Sequence, residues 1–96
     1  MRKSVNIYGM RVKIKHVESL KHPETGEPCL GLFDPTTKVI WLEANISEKE
    51  KYATLCHEII HATQFRLGYM QIFQIEFIET MAETFGNMIA ENFKLK

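Results

Sequence analysis

The hydrophobic period of this chain changes once, near Ser47, and that single change limits the folds open to it. Upstream, apolar and polar residues alternate. Val5 and Ile7 stand among polar neighbours, and Val12, Ile14 and His16 share one parity against Arg11, Lys13 and Lys15. A period of two is the signature of a half-buried strand, and Gly9 between the two runs marks the tip of a hairpin. Residues 19–28 are polar and contain Gly and Pro, as in a connecting loop. A second pair of strands is expected at Cys29–Phe33 and Lys38–Leu42, joined by a turn at Asp34-Pro35-Thr36-Thr37.

Downstream the period becomes helical. Ser47-Glu48-Lys49-Glu50 is a capping box, in which the Ser hydroxyl accepts from a free backbone N–H and Glu50 reaches back. Tyr52, Leu55, Cys56, Ile59, Ile60 and Thr63 then form one mostly apolar stripe, and Gly68 is placed to close the helix in a left-handed conformation. A second helix starts between Met70 and Gln74 and runs to about Phe93. Its stripe is Ile75, Ile78, Met81, Ala82, Phe85, Met88, Ile89 and Phe93. The expected class is α+β: a small antiparallel or mixed sheet of about three or four short strands, followed by two packed helices lying on one sheet face.

The length, 96 residues, fits one domain spanning residues 1–96. Twelve basic residues balance twelve acidic ones, so net charge favours neither nucleic acid nor an anionic membrane as partner. No apolar run reaches the length of a transmembrane span, and the basic N-terminus is not followed by the apolar core of a signal peptide. Cys29 and Cys56 can pair, but the spacing does not require it, and Cys56 inside a helical pattern reads as a small buried thiol. The expected location is a reducing cytoplasm.

The first helix carries His57-Glu58-Ile59-Ile60-His61. Residues four apart stand one turn above each other, so both imidazoles can reach one metal ion. Glu58 flanks the same site, where it can hold a water molecule. Imidazole and carboxylate are common ligands of catalytic zinc, so Zn2+ is the expected metal. The bland alternative is three solvated polar residues on a helix flank, the two histidines about 150° from the centre of the apolar stripe. On a lone helix that direction is solvent; beside a second helix it is an interhelical cleft.

A catalytic site needs a third protein ligand. Glu76, Glu79 and Glu83 lie along one side of the second helix, and Glu79 is nearest the apolar stripe, so it is preferred. Gly86 continues that flank. A helix-interior Gly costs about 1 kcal/mol relative to Ala, and such a residue is commonly found where another backbone comes close.

His57-Glu58-Ile59-Ile60-His61, followed by Glu79 and then Glu83 four residues on, resembles the gluzincin metallopeptidases. In size and element order it looks most like the minigluzincins and the ImmA/IrrE-like proteins common in phages and mobile elements. The resemblance implies zinc held by His57, His61 and Glu79, Glu58 as general base, and Glu83 as the partner that orients His57, with Glu where the family's pattern has Asp. It implies hydrolysis of a peptide or protein substrate. A domain this small has little wall around its site and so only shallow specificity pockets, which makes one specific target protein with an accessible loop the expected kind. One departure stands out: no Tyr or His is matched to the family's oxyanion-stabilising residue, and Tyr8, Tyr52 and Tyr69 have no assigned place.

On this reading an extended peptide lies antiparallel against a sheet edge near Lys38–Leu42. The rival is a non-catalytic protein-interaction module in which zinc serves as a structural staple. Glu58 argues against it, since a staple needs no base. Among the remaining residues, His16 reads as a core or edge histidine, His22 before Pro23 as solvated, and Trp41 as part of the sheet.

Overall fold

Tyr8 and Gly9 both have positive φ, 48° and 82°, the conformation whose twist suits a two-residue hairpin turn. They join β1 (Ser4–Ile7) to β2 (Met10–Val17) in the computed structural model, which describes residues 1–93. The Arg66 side chain donates from Nε to the Tyr8 carbonyl at 3.1 Å, tying this turn to the first helix.

The second hairpin pairs β3 (Gly31–Asp34) with β4 (Val39–Glu43). Its turn is held by Asp34, whose carboxylate accepts from the Thr36 N–H at 2.9 Å and the Thr37 hydroxyl at 2.8 Å. Each strand lies one or two residues downstream of its expected start. The sheet order is β1-β2-β4-β3, antiparallel except for the parallel β2–β4 pair, so the sheet is mixed. The hairpin inserts β4 beside β2 and leaves β3 at the rim. The expected substrate edge at Lys38–Leu42 is therefore displaced: β4 is interior, with both flanks paired, and the edge strand next to it is β3, β1 forming the opposite edge.

Ser47 caps the helix α1 (Glu48–Arg66), its hydroxyl accepting from the Glu50 N–H at 3.1 Å. The Ser47 hydroxyl donates a hydrogen bond to the Glu50 carboxylate at 3.2 Å. Gly68, at φ 77°, ends this helical stretch and leads into a short 3-10 turn, Tyr69–Gln71. The helix α2 (Ile75–Asn92) follows.

Val5, Ile7, Val12, Ile14, Phe33, Ile40 and Leu42 form a buried cluster with Leu55 and Ala62 of α1. Burial of such side chains contributes roughly 1.5–3 kcal/mol each. The helices do not share the sheet face. α1 covers it, and α2 packs against the far side of α1, giving three layers. α1 is thus enclosed on several sides, and Glu58, Ala62 and Gln64, none of them in its predicted stripe, are buried.

Of the predicted α2 stripe only Ile78 and Ala82 are buried, joined by Gly86 at the same four-residue spacing. Ile75, Phe85, Met88 and Phe93 are exposed, because α2 touches its support along a single narrow row. His16 is exposed too. It has the core parity, but β1 ends opposite Lys13, so no β1 side chain flanks it. Cys29 and Cys56 are free thiols, Cys56 buried. None of the described helices is long and apolar enough to cross a membrane.

Candidate metal centre

Small residues allow the three layers to close around one point. A Cβ on Gly86 would stand 2.9 Å from His57 Cα and 3.0 Å from His57 N, so the absence of a side chain there lets α2 rest on the α1 backbone beside His57. A Cβ on Gly31 would run into the Thr54 methyl and stand 3.2 Å from Glu58 Cγ. Gly31 therefore brings the edge strand against Glu58. The close approach expected at Gly86 is present; the one at Gly31 was not foreseen.

His57 and His61 project from α1 into the cleft between the helices, where Glu79 of α2 meets them. His61 Nε2 lies 3.2 Å from Glu79 Oε1, and His57 Nε2 lies 3.8 Å from Glu79 Oε2. One ligand atom from each of the three residues falls within 4.8 Å of the others. Glu83 stands behind His57, its Oε2 3.4 Å from His57 Nδ1. Glu76 is exposed and outside the cluster.

The hydrogen-bond network assigns the tautomer of His61. The buried Gln64 side chain donates from Nε2 to the Ile78 carbonyl at 3.0 Å, so its Oε1 is left as an acceptor, 2.9 Å from His61 Nδ1. His61 Nδ1 must carry the proton, and Nε2 presents a lone pair to the cleft. Glu83 imposes the same polarity on His57, whose pKa is lowered chiefly by desolvation and next by His61, against the opposing pull of Glu79 and Glu83. The cleft thus gathers two imidazole nitrogens and a carboxylate at close range, a set of atoms that can act as metal ligands. Tetrahedral zinc, with bonds of ~2.0–2.1 Å, separates its ligands by about 3.3 Å; the imidazole–carboxylate spacings are 3.2 and 3.8 Å, and the three ligand atoms lie within 4.8 Å of one another. The donor set fits zinc.

Glu58 is buried between α1 and β3. Desolvation first, and then the charge of Glu79, push its pKa up to about 7, while a backbone hydrogen bond from Phe33 acts in the opposite direction. A carboxyl poised near neutrality suits proton transfer in both directions.

Two open cavities meet at His57 and Glu58. One, about 330 Å³, is lined by Leu30, Ala53, Thr54, Glu83 and Asn87. The other, about 350 Å³, is lined by Leu32, Phe33, Pro35, Met70, His61, Glu79 and also His22. Sequence reasoning missed Gln64 and His22. Gln64 had a readable signal, since three residues after His61 is the same helix flank. His22 had none, because a loop residue has no periodicity to place it. No protein-family model matches the chain, and comparison with curated proteins finds no similar sequence.

Proposed function

We propose that this protein is a zinc-dependent metallopeptidase of the gluzincin type, hydrolysing peptide bonds in the cytoplasm. The observation that carries the reading is the convergence of His57, His61 and Glu79 lone pairs beside a buried carboxyl, with open space on both sides. Bound zinc supplies Lewis acidity, polarising a carbonyl oxygen and making water a stronger acid.

The chain supplies the rest. His57 and His61 would hold the ion through their ring nitrogens and Glu79 through a carboxylate oxygen, while Gln64 and Glu83 keep both rings turned with Nε2 toward the cleft. Glu58 takes a proton from water as the water oxygen adds to the peptide carbonyl carbon. It then returns that proton to the amine nitrogen as the C–N bond breaks. The substrate is an extended peptide lying along β3, where backbone pairing is open and Gly31 brings the strand against Glu58. The apolar walls at Phe33 and Met70 suit an apolar side chain on one side of the scissile bond.

The test is cleavage of a diverse peptide library by wild type and Glu58→Gln, with zinc content measured in parallel. Wild type should cleave, and the zinc-loaded mutant should be slower by about 10²–10⁴-fold, the usual contribution of a general base. Equal cleavage by both would exclude Glu58 as the base. Zinc-loaded wild type that binds partner proteins and cleaves nothing would favour the non-catalytic module.

A further inference from the structure

The carbonyl oxygen gains negative charge as water adds, and a hydrogen-bond donor beside the metal would add to its stabilisation. We propose that His22 is that donor, a catalytic residue supplied by the loop between β2 and β3. The assignment rests on the peptidase reading above.

Three observations carry it. His22 lines the 350 Å³ cavity together with His57, Glu58, His61 and Glu79, so it borders the same open space as the candidate ligands and base. Its loop is braced for a segment without regular structure. The His22 N–H donates to the Glu27 carbonyl at 2.8 Å, the His22 carbonyl accepts from the Gly26 N–H at 2.8 Å, and Lys21 bridges to Pro28. Most specific is the imidazole itself: Nδ1 accepts a hydrogen bond from the Glu24 N–H at 3.2 Å. A ring nitrogen that accepts carries no proton, so in neutral His22 the hydrogen is on Nε2. The loop thereby holds His22 in the tautomer opposite to that of His61. His61 offers a lone pair at Nε2, as a ligand must, and His22 offers an N–H there, as an oxyanion donor must.

No proton changes hands in this role. As the water oxygen bonds to carbon, the carbonyl π pair moves to oxygen, and the Nε2–H strengthens its hydrogen bond to that oxygen. Removing one such donor typically lowers turnover by about 10²–10³-fold. None of the tyrosines lines either of these two cavities.

The experiment compares wild type, His22→Phe, His22→Gln and the control His16→Phe. One readout is affinity of the zinc-loaded proteins for a phosphonamidate tripeptide with a leucyl side chain after phosphorus, whose tetrahedral oxygens imitate the charged carbonyl. A second is zinc affinity by chelator competition, and a third is imidazole tautomer in the metal-free wild type by long-range proton–nitrogen correlation. His22→Phe should bind the phosphonamidate about 100-fold more weakly with zinc affinity unchanged. His22→Gln, whose amide nitrogen can stand near the Nε2 position, should recover part of the loss, and His16→Phe should match wild type. Equal phosphonamidate affinity in wild type and His22→Phe would overturn the assignment, as would an Nδ1–H tautomer for His22. Wild type that binds zinc but not the phosphonamidate would sink the hydrolytic reading and this assignment with it. Tight phosphonamidate binding untouched by His22 changes would sink the assignment alone.

Discussion

Glu58 is where burial and chemistry conflict most at the scale of single residues. A carboxyl with an ordinary pKa of 4.5 is pushed up to about 7, so between those values the metal-free fold keeps a proton that the unfolded chain has released. A fold that binds the extra proton loses stability as pH rises through that window, by a total on the order of 3 kcal/mol. His57 acts in the opposite direction. Its lowered pKa means that stability is lost as pH falls below its ordinary 6.5. In metal-free Glu58→Gln the falling limb should disappear, leaving a curve that only rises toward neutrality. Urea midpoints of both proteins from pH 4.5 to 8 check this, and parallel curves would contradict the burial argument. The His57-Glu58-Ile59-Ile60-His61 spacing was readable because helix geometry alone places residues four apart together. The partners of those histidines were less so. Glu79 and Glu83 followed from angles on one helix and a resemblance, whereas Gln64 matters through a carbonyl fourteen residues on.

Among the elements, α2 shows best what a hydrophobic stripe can and cannot say. Its boundaries were legible from sequence to within a residue or two, as were the Ser47 cap and the Gly9 hairpin. Its burial was not. A stripe says that a face needs cover without saying how wide the cover will be, and here α1 offers one row: Ile78, Ala82, Gly86. Gly86 is the tightest point. Replacing it by Ala gains about 1 kcal/mol of helix propensity. The new methyl, however, would meet His57 backbone atoms at 2.9–3.0 Å, and backbone cannot turn aside as a flexible side chain can. Overpacking of this kind costs typically 1–3 kcal/mol, so Gly86→Ala should be destabilised by about 1 kcal/mol on balance and should bind zinc more weakly, because α2 carries Glu79. Denaturant midpoints and chelator competition measure both effects. A more stable Gly86→Ala with unchanged zinc affinity would mean that the helices are not in this register.

Seen as a whole molecule, the layers run sheet, α1, α2, and the candidate site touches all three: Gly31 on β3, His57, Glu58 and His61 on α1, Glu79 and Glu83 on α2. The class was legible because the change from period two to helical period occurs once. The strand order was not, since placing β4 between β2 and β3 depends on contacts far apart in sequence, and that placement leaves β3 rather than β4 as the edge strand beside the site. An ion held by α1 and α2 would fasten the outer helix, which has little buried surface of its own, so zinc should stabilise the fold by mass action. The most direct test is zinc titration of the metal-free protein, with stoichiometry from elemental analysis and affinity from chelator competition, in wild type, His61→Ala, Glu79→Ala and Glu76→Ala. Wild type and Glu76→Ala should each bind about one zinc per chain, and His61→Ala and Glu79→Ala should lose it severely. Wild type that takes up no zinc, or Glu79→Ala that binds it as tightly as wild type, would rule out a zinc site built on His57, His61 and Glu79.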